Sequence, residues 1–173
     1  WIAEHAQHPD LPQGVLSPVE DMRVFARSVT RSASLQDASR CASEMAAGCG
    51  RCHAAADVDV RVQDGTMPPA GRAPAEHMLR HAWAADRMWD GLLTPSDASW
   101  ESGATALSED PLFLADEESG TEAGVLAREI HLLGFEARRL QDPDHRAGIY
   151  GRLLGTCARC HSLMGITEGS ATH

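Results

Sequence analysis

At 173 residues, 43% of them hydrophobic, the chain has enough apolar content for one domain, or two small halves sharing a core, and no apolar run long enough to cross a membrane. Its formal charge is −10 and its cations are all Arg, with no Lys. That balance argues against nucleic acid, since nothing here would neutralise a phosphate backbone, and suits either solubility or steering toward a basic partner.

The first sixteen residues, with His5, His8, Pro9 and Pro12, read as an extended arm. Ser17-Pro18 is a helix-start signal, a Ser N-cap with Pro at the first helical position, and Val19, Met22, Phe25, Ala26 and Val29 continue it as one apolar stripe to about Arg31. A second helix, Leu35 to Ala55, makes a hairpin with the first. From Asp57 to Ala73 the periodicity is lost and Asp64-Gly65, Pro68-Pro69 and Gly71 signal a loop. Pro74 opens a third helix to about Leu93. Thr94-Pro95-Ser96-Asp97 breaks it and caps a short fourth through Leu107, and an acidic connector follows to Gly120. A fifth helix, about Glu122 to Leu140, and a sixth, about Asp144 to Met164, complete the chain before a polar tail. No strand-like alternation competes, so the expected fold is an all-α helical bundle of about five to six helices.

Two of these helices carry chemistry. Cys49-Gly50-Arg51-Cys52-His53 closes the second, and Cys157-Ala158-Arg159-Cys160-His161 closes the sixth. Cys-x-x-Cys-His is the pattern of c-type haem attachment: two thiols add to the porphyrin vinyl groups and the adjacent imidazole binds iron. On a helix the first Cys and the His lie one turn apart, so all three groups converge on one macrocycle. Two covalently bound haem c groups, with His53 and His161 as proximal iron ligands, are therefore expected. Such attachment takes place outside the bacterial cytoplasm, so the chain reads as a periplasmic product from which an export signal or anchor has been removed. Helix, break and helix ending in Cys-x-x-Cys-His occurs from Pro18 to His53 and again from Glu122 to His161, the pattern of a duplication. Cys41 is left over and reads as a buried small apolar group.

Four antiparallel helices with Cys157-Ala158-Arg159-Cys160-His161 near the end of the last give residues 74–165 a resemblance to the class II c-type cytochromes, which include cytochrome c′. The resemblance implies that the distal face of the second haem meets the start of the third helix, at His77, Met78 and His81. The first haem hairpin (18–57) and the loop after it (58–73) have no equivalent in a single class II domain, so residues 1–173 are read as one dihaem domain in which that family's ligand pattern is not carried over whole.

The sixth ligand of each iron decides the function. His77, His81, Ala84 and Met88 form one stripe of the third helix, with Arg80, Asp86, Arg87 and Asp90 on the other side. His77 and His81 are the expected distal ligands, since an inward imidazole needs a polar partner and iron is a good one. Met67, in Gly65-Thr66-Met67-Pro68-Pro69, is similar to the methionine loop of class I cytochromes c and rivals them for the first haem. Met88 also qualifies, with core filler as its ordinary reading, as for Met78. His131, on the fifth helix, and His5 and His8 are weaker candidates, while His145 and His173 read as surface or terminal residues. Trp83, Trp89 and Trp100 read as packing around the porphyrins, and Arg80 and Arg87 as a solvated face that could instead bind propionates.

The leading expectation is a non-enzymatic electron carrier working with redox partner proteins, with a homodimer also allowed. The alternative is a haem protein that binds or senses a gas at one five-coordinate iron. A small peroxidase-like module lacks an identifiable acid/base pair, and a zinc protein built on the two Cys pairs is the remaining reading.

Overall fold

Helix starts follow the capping residues. The computed structural model describes residues 13–62, 65–69, 73–109 and 120–166. Six helices occur among them: α1 (Gln13–Arg31), α2 (Leu35–Ala55), α3 (Pro74–Leu93), α4 (Asp97–Ser108), α5 (Glu122–Ala137) and α6 (Pro143–Leu163). Ser34 accepts from the Asp37 N–H at 3.1 Å, Ser96 from Ser99 at 3.2 Å and Thr121 from Gly124 at 3.1 Å. Asp142 accepts from both Asp144 and His145 at the head of α6. Each side chain thus satisfies backbone donors that the first turn leaves orphaned. The described residues contain no strand, and the all-helical expectation holds.

The expected start of α1 needs correction. The helix begins at Gln13, which makes residues 13–16 helical and puts Pro18 inside it. Val15 and Val19, one turn apart, are both buried, and their packing carries the helix back past the Ser-Pro signal. Pro18 costs one hydrogen bond, and the carbonyl it deprives belongs to exposed Gly14, where water can replace the donor. The rest of the expected arm, with His5 and His8, lies outside the described residues. At the other end, α5 stops at Ala137 rather than Leu140, in a turn closed by Arg139 N–H to Glu136 and Leu140 N–H to Ala137.

Helix α1 packs on α2 as the expected hairpin, and α2 packs on α6 and on α3. Helices α3, α4, α5 and α6 follow one another around a core of Ala84, Met88, Leu92, Trp100, Leu107, Ile130, Leu133, Tyr150 and Leu153. Trp100 anchors it: the ring is 1% exposed, its indole N–H donates to Ala137 O at 2.9 Å, and the Arg146 guanidinium lies over its face. Several seams are backbone contacts. Gly91 faces Trp100, Gly103 faces Ala84, Gly134 faces Leu107 and Gly151 faces Arg40, each so closely that a Cβ would collide.

Helices α2 and α6 run antiparallel. Arg51 pairs with Asp144 at 2.8 Å, Gly151 rests on Arg40 and Ser43, and Gly155 lies against Gln36. The ends of these two helices are therefore at opposite poles of the bundle. At 1.5 Å per residue along α6 from Asp144 to Cys157, those poles are about 20 Å apart.

Candidate metal and cofactor centres

Both Cys-x-x-Cys-His segments occupy the last turns of their helices, and both helices end in the same way. The fourth residue beyond the His is left-handed, Asp57 at φ 51° and Gly165 at φ 67°. The next N–H then returns to the His carbonyl, Val58 to His53 at 3.1 Å and Ile166 to His161 at 3.0 Å. This is a Schellman closure, and it fixes the exit of the chain directly behind each imidazole.

At the first pole Gly50 lies on the Leu92 carbonyl at the end of α3, and the next carbonyl, Leu93 O, is 2.7 Å from His53 Nδ1. A carbonyl only accepts, so Nδ1 carries the proton and Nε2 keeps its lone pair for a ligand role. Met22, on α1, brings its Sδ to 3.0 Å from Cys49 Sγ. At the second pole Arg159 pairs with Glu122 at the head of α5, and His161 is exposed.

All five cysteines are free thiols, and Cys41 is buried as expected. Burial pushes the thiols of Cys49, Cys52 and Cys160 up, and that of Cys157 up to about 11, with Cys160 adding to the last. The four groups are therefore protonated thiols at neutral pH. The two Cys pairs, at opposite poles, cannot share one ion.

A second cluster lies inside the bundle. His77 and His81 sit one turn apart at the start of α3, and His131 reaches them from α5. The three residues are 8%, 9% and 5% exposed, and one nitrogen of each lies within 4.8 Å of the others. Ring centroids are 4.2 Å apart for His77 and His81, 5.2 Å for His81 and His131, and 5.7 Å for His77 and His131. His131 Nδ1 is 2.7 Å from Leu107 O, which fixes that ring as Leu93 O fixes His53. The Nε2 atoms of His77 and His81 are buried with no hydrogen-bond partner. Burial drives the His81 imidazole down to about 3, with the neighbouring charges of His77, His131 and His161 contributing; burial likewise lowers His77, with His131 and Arg80 adding to it. Burial therefore favours the neutral imidazole at His77 and His81, and His131 faces both of them in the interior.

The remaining candidates fall elsewhere. Met88 is fully buried between α3 and α4 against Gly103, in the core. Met67 is exposed, on a loop tied to the first half of α3 by Trp83 N–H to Gly65 O at 2.8 Å and by Arg80 to Pro68 O. Arg80 and Arg87 do not form the expected solvated face. Arg80 is buried against Glu109 and Arg87 pairs with Asp90 at 2.6 Å, because each guanidinium has a carboxylate to bridge within the bundle. Trp89 stacks at 5.8 Å on Tyr150, whose hydroxyl donates to Ala85 O. His145 is exposed, and His173 lies outside the described residues. Sequence reasoning gave Met22 no role beyond an apolar stripe and His131 only a minor one; the Ile130-His131 register on an apolar face was the available signal for the latter.

Comparisons with family models, curated proteins and solved structures give no match for this chain.

Proposed function

We propose that the chain is an extracytoplasmic dihaem c-type cytochrome that carries single electrons between redox partner proteins. The observation that carries this reading is the pair of Cys-x-x-Cys-His segments, each on the last turns of a long helix with the same Schellman closure behind its imidazole. The donors fit the group. Cys49 and Cys52, and Cys157 and Cys160, are free, partly exposed thiols suited to thioether formation, and His53 presents Nε2 with its other nitrogen held by Leu93 O. The bound haem would supply one-electron exchange at iron.

The protein's own part is positional. Leu93 O orients the His53 ring, the α2–α6 seam sets the span between the two attachment points, and the net charge of −10 favours association with a basic partner. His77 and His81 share a single site at the start of α3, whereas the first motif adjoins the end of that helix.

The test is a haem stain after denaturing electrophoresis, iron analysis, and ferric and reduced spectra with and without carbon monoxide. Two irons per chain, haem retained through denaturation and spectra indifferent to the gas are expected. Haem lost on denaturation would overturn the assignment. A high-spin component that shifts with carbon monoxide would replace electron carriage by gas binding.

A further inference from the structure

We propose that His77, His81 and His131 form a separate binding site for one divalent first-row transition-metal ion, with Zn(II) the natural probe. The proposal goes beyond the haem reading and does not depend on it. Three observations converge. Nitrogens from two helices meet within 4.8 Å in the interior, Leu107 O orients the His131 ring from behind, and the Nε2 atoms of His77 and His81 are buried without partners. Leaving two such acceptors dry costs free energy that a ligand would recover, and nearly all buried polar atoms in folded proteins have a partner.

The donor set selects the ion. Imidazole suits zinc, copper, nickel and iron, whereas calcium and magnesium require oxygen, and the cluster offers no carboxylate. Arg80, whose charge acts on His77, is already balanced by Glu109. Three histidines leave a tetrahedral ion one open position, which water or a small anion would fill. Nitrogens around a tetrahedral zinc stand about 3.3 Å apart at bond lengths of about 2.0–2.1 Å, so the three rings must draw together by about an ångström or more at their widest. Side-chain rotation achieves that without moving a helix, since His77 and His81 already lie one turn apart.

An ion here would clasp α3 to α5 across α4, whose Leu107 carbonyl braces the site. The chain as purified is stripped with a chelator and titrated with Zn(II). Bound zinc and iron are counted together, zinc K-edge absorption is recorded, and H81Q and H131Q are treated identically, with helicity checked by circular dichroism. The expected result is one tightly held zinc per chain with three imidazole nitrogens at about 2.0–2.1 Å, a raised melting temperature, and binding weaker by on the order of 100-fold in either variant with unchanged visible spectra. No stoichiometric zinc, a coordination shell without imidazole, or full affinity in both variants would overturn it. So would variants that alter a haem spectrum while keeping zinc affinity, which would give the cluster to iron instead. Should the variants fail to fold, the absorption edge of the unaltered protein still decides.

Discussion

The backbone of Gly50 lies directly against the carbonyl oxygen of Leu92, with no room between them for a Cβ. The contact sets the end of α2 on the end of α3 and so brings His53 to Leu93 O. Gly50→Ala must push the two backbones apart, since neither atom belongs to a flexible side chain. A loss of about 2–3 kcal/mol is expected from overpacking, read as a lower denaturation midpoint. If the proposed haems are attached, the spectrum of the one at His53 should change with it, while that of the other stays.

Cysteine accounting gives a second prediction. With both haems attached, the denatured chain should react with one equivalent of thiol reagent, at Cys41, out of the five cysteines in the sequence. Five equivalents, or three, would mean that neither motif, or only one, carries its group.

Trp100 offers a stability test away from any cofactor. Trp100→Phe removes one of the two donors to Ala137 O, which keeps the Leu140 N–H, at a cost of about 0.5–1.5 kcal/mol for the lost hydrogen bond. Trp100→Ala adds a cavity and should cost about 3–5 kcal/mol. The difference between the two variants in chemical denaturation separates the hydrogen bond from the packing.

The pH dependence follows from the histidine cluster. Burial holds His81 down to about 3 and lowers His77, whereas the unfolded chain takes up these protons near 6.5. Between those values the unfolded state binds more protons, so stability is full above 6.5 and is lost as pH falls toward 3. His81 alone would account for at most about 5 kcal/mol. Melting of the metal-stripped chain should therefore begin to weaken below about 6.5, well above the range where carboxylates titrate, and H81Q should flatten that limb.

The two Schellman closures differ in one respect that can be measured. Gly165 is at ease in the left-handed region and Asp57 is not. Asp57→Gly should stabilise the chain by up to about 1 kcal/mol, and Gly165→Ala should destabilise it by about 1–2 kcal/mol. Thermal melts of the two single variants check both signs.

Much of this architecture is legible in the sequence because the signals are local. Ser34, Ser96, Thr121 and Asp142 cap the helices they precede, and the bounds of α2 are the expected ones. The start of α1 is misread because Ser17-Pro18 has the local form of a helix start, while the burial of Val15 that overrides it comes from packing on α2. The candidate site divides the same way. His77 and His81 are visible as a helical pair, but their meeting with His131 depends on how α5 packs around α4, which no spacing encodes. Arg80 is misjudged for the same reason, since Glu109 becomes its neighbour only on folding, whereas the Arg87–Asp90 pair is local, three residues apart on one helix.

Glycine at 50, 91, 103, 134 and 151 turns several seams of the bundle into a notch cut for a neighbouring helix. Where side chains interdigitate, a change of rotamer lets one helix creep along another; a backbone seated in a notch has nothing that can swivel out of the way. Helices α2 and α6 are thus held in axial position at Gly151, and the roughly 20 Å along α6 from Asp144 to Cys157 behaves as the length of a rigid rod. Substitutions around either pole can retune the chemistry there without stretching or shortening that rod.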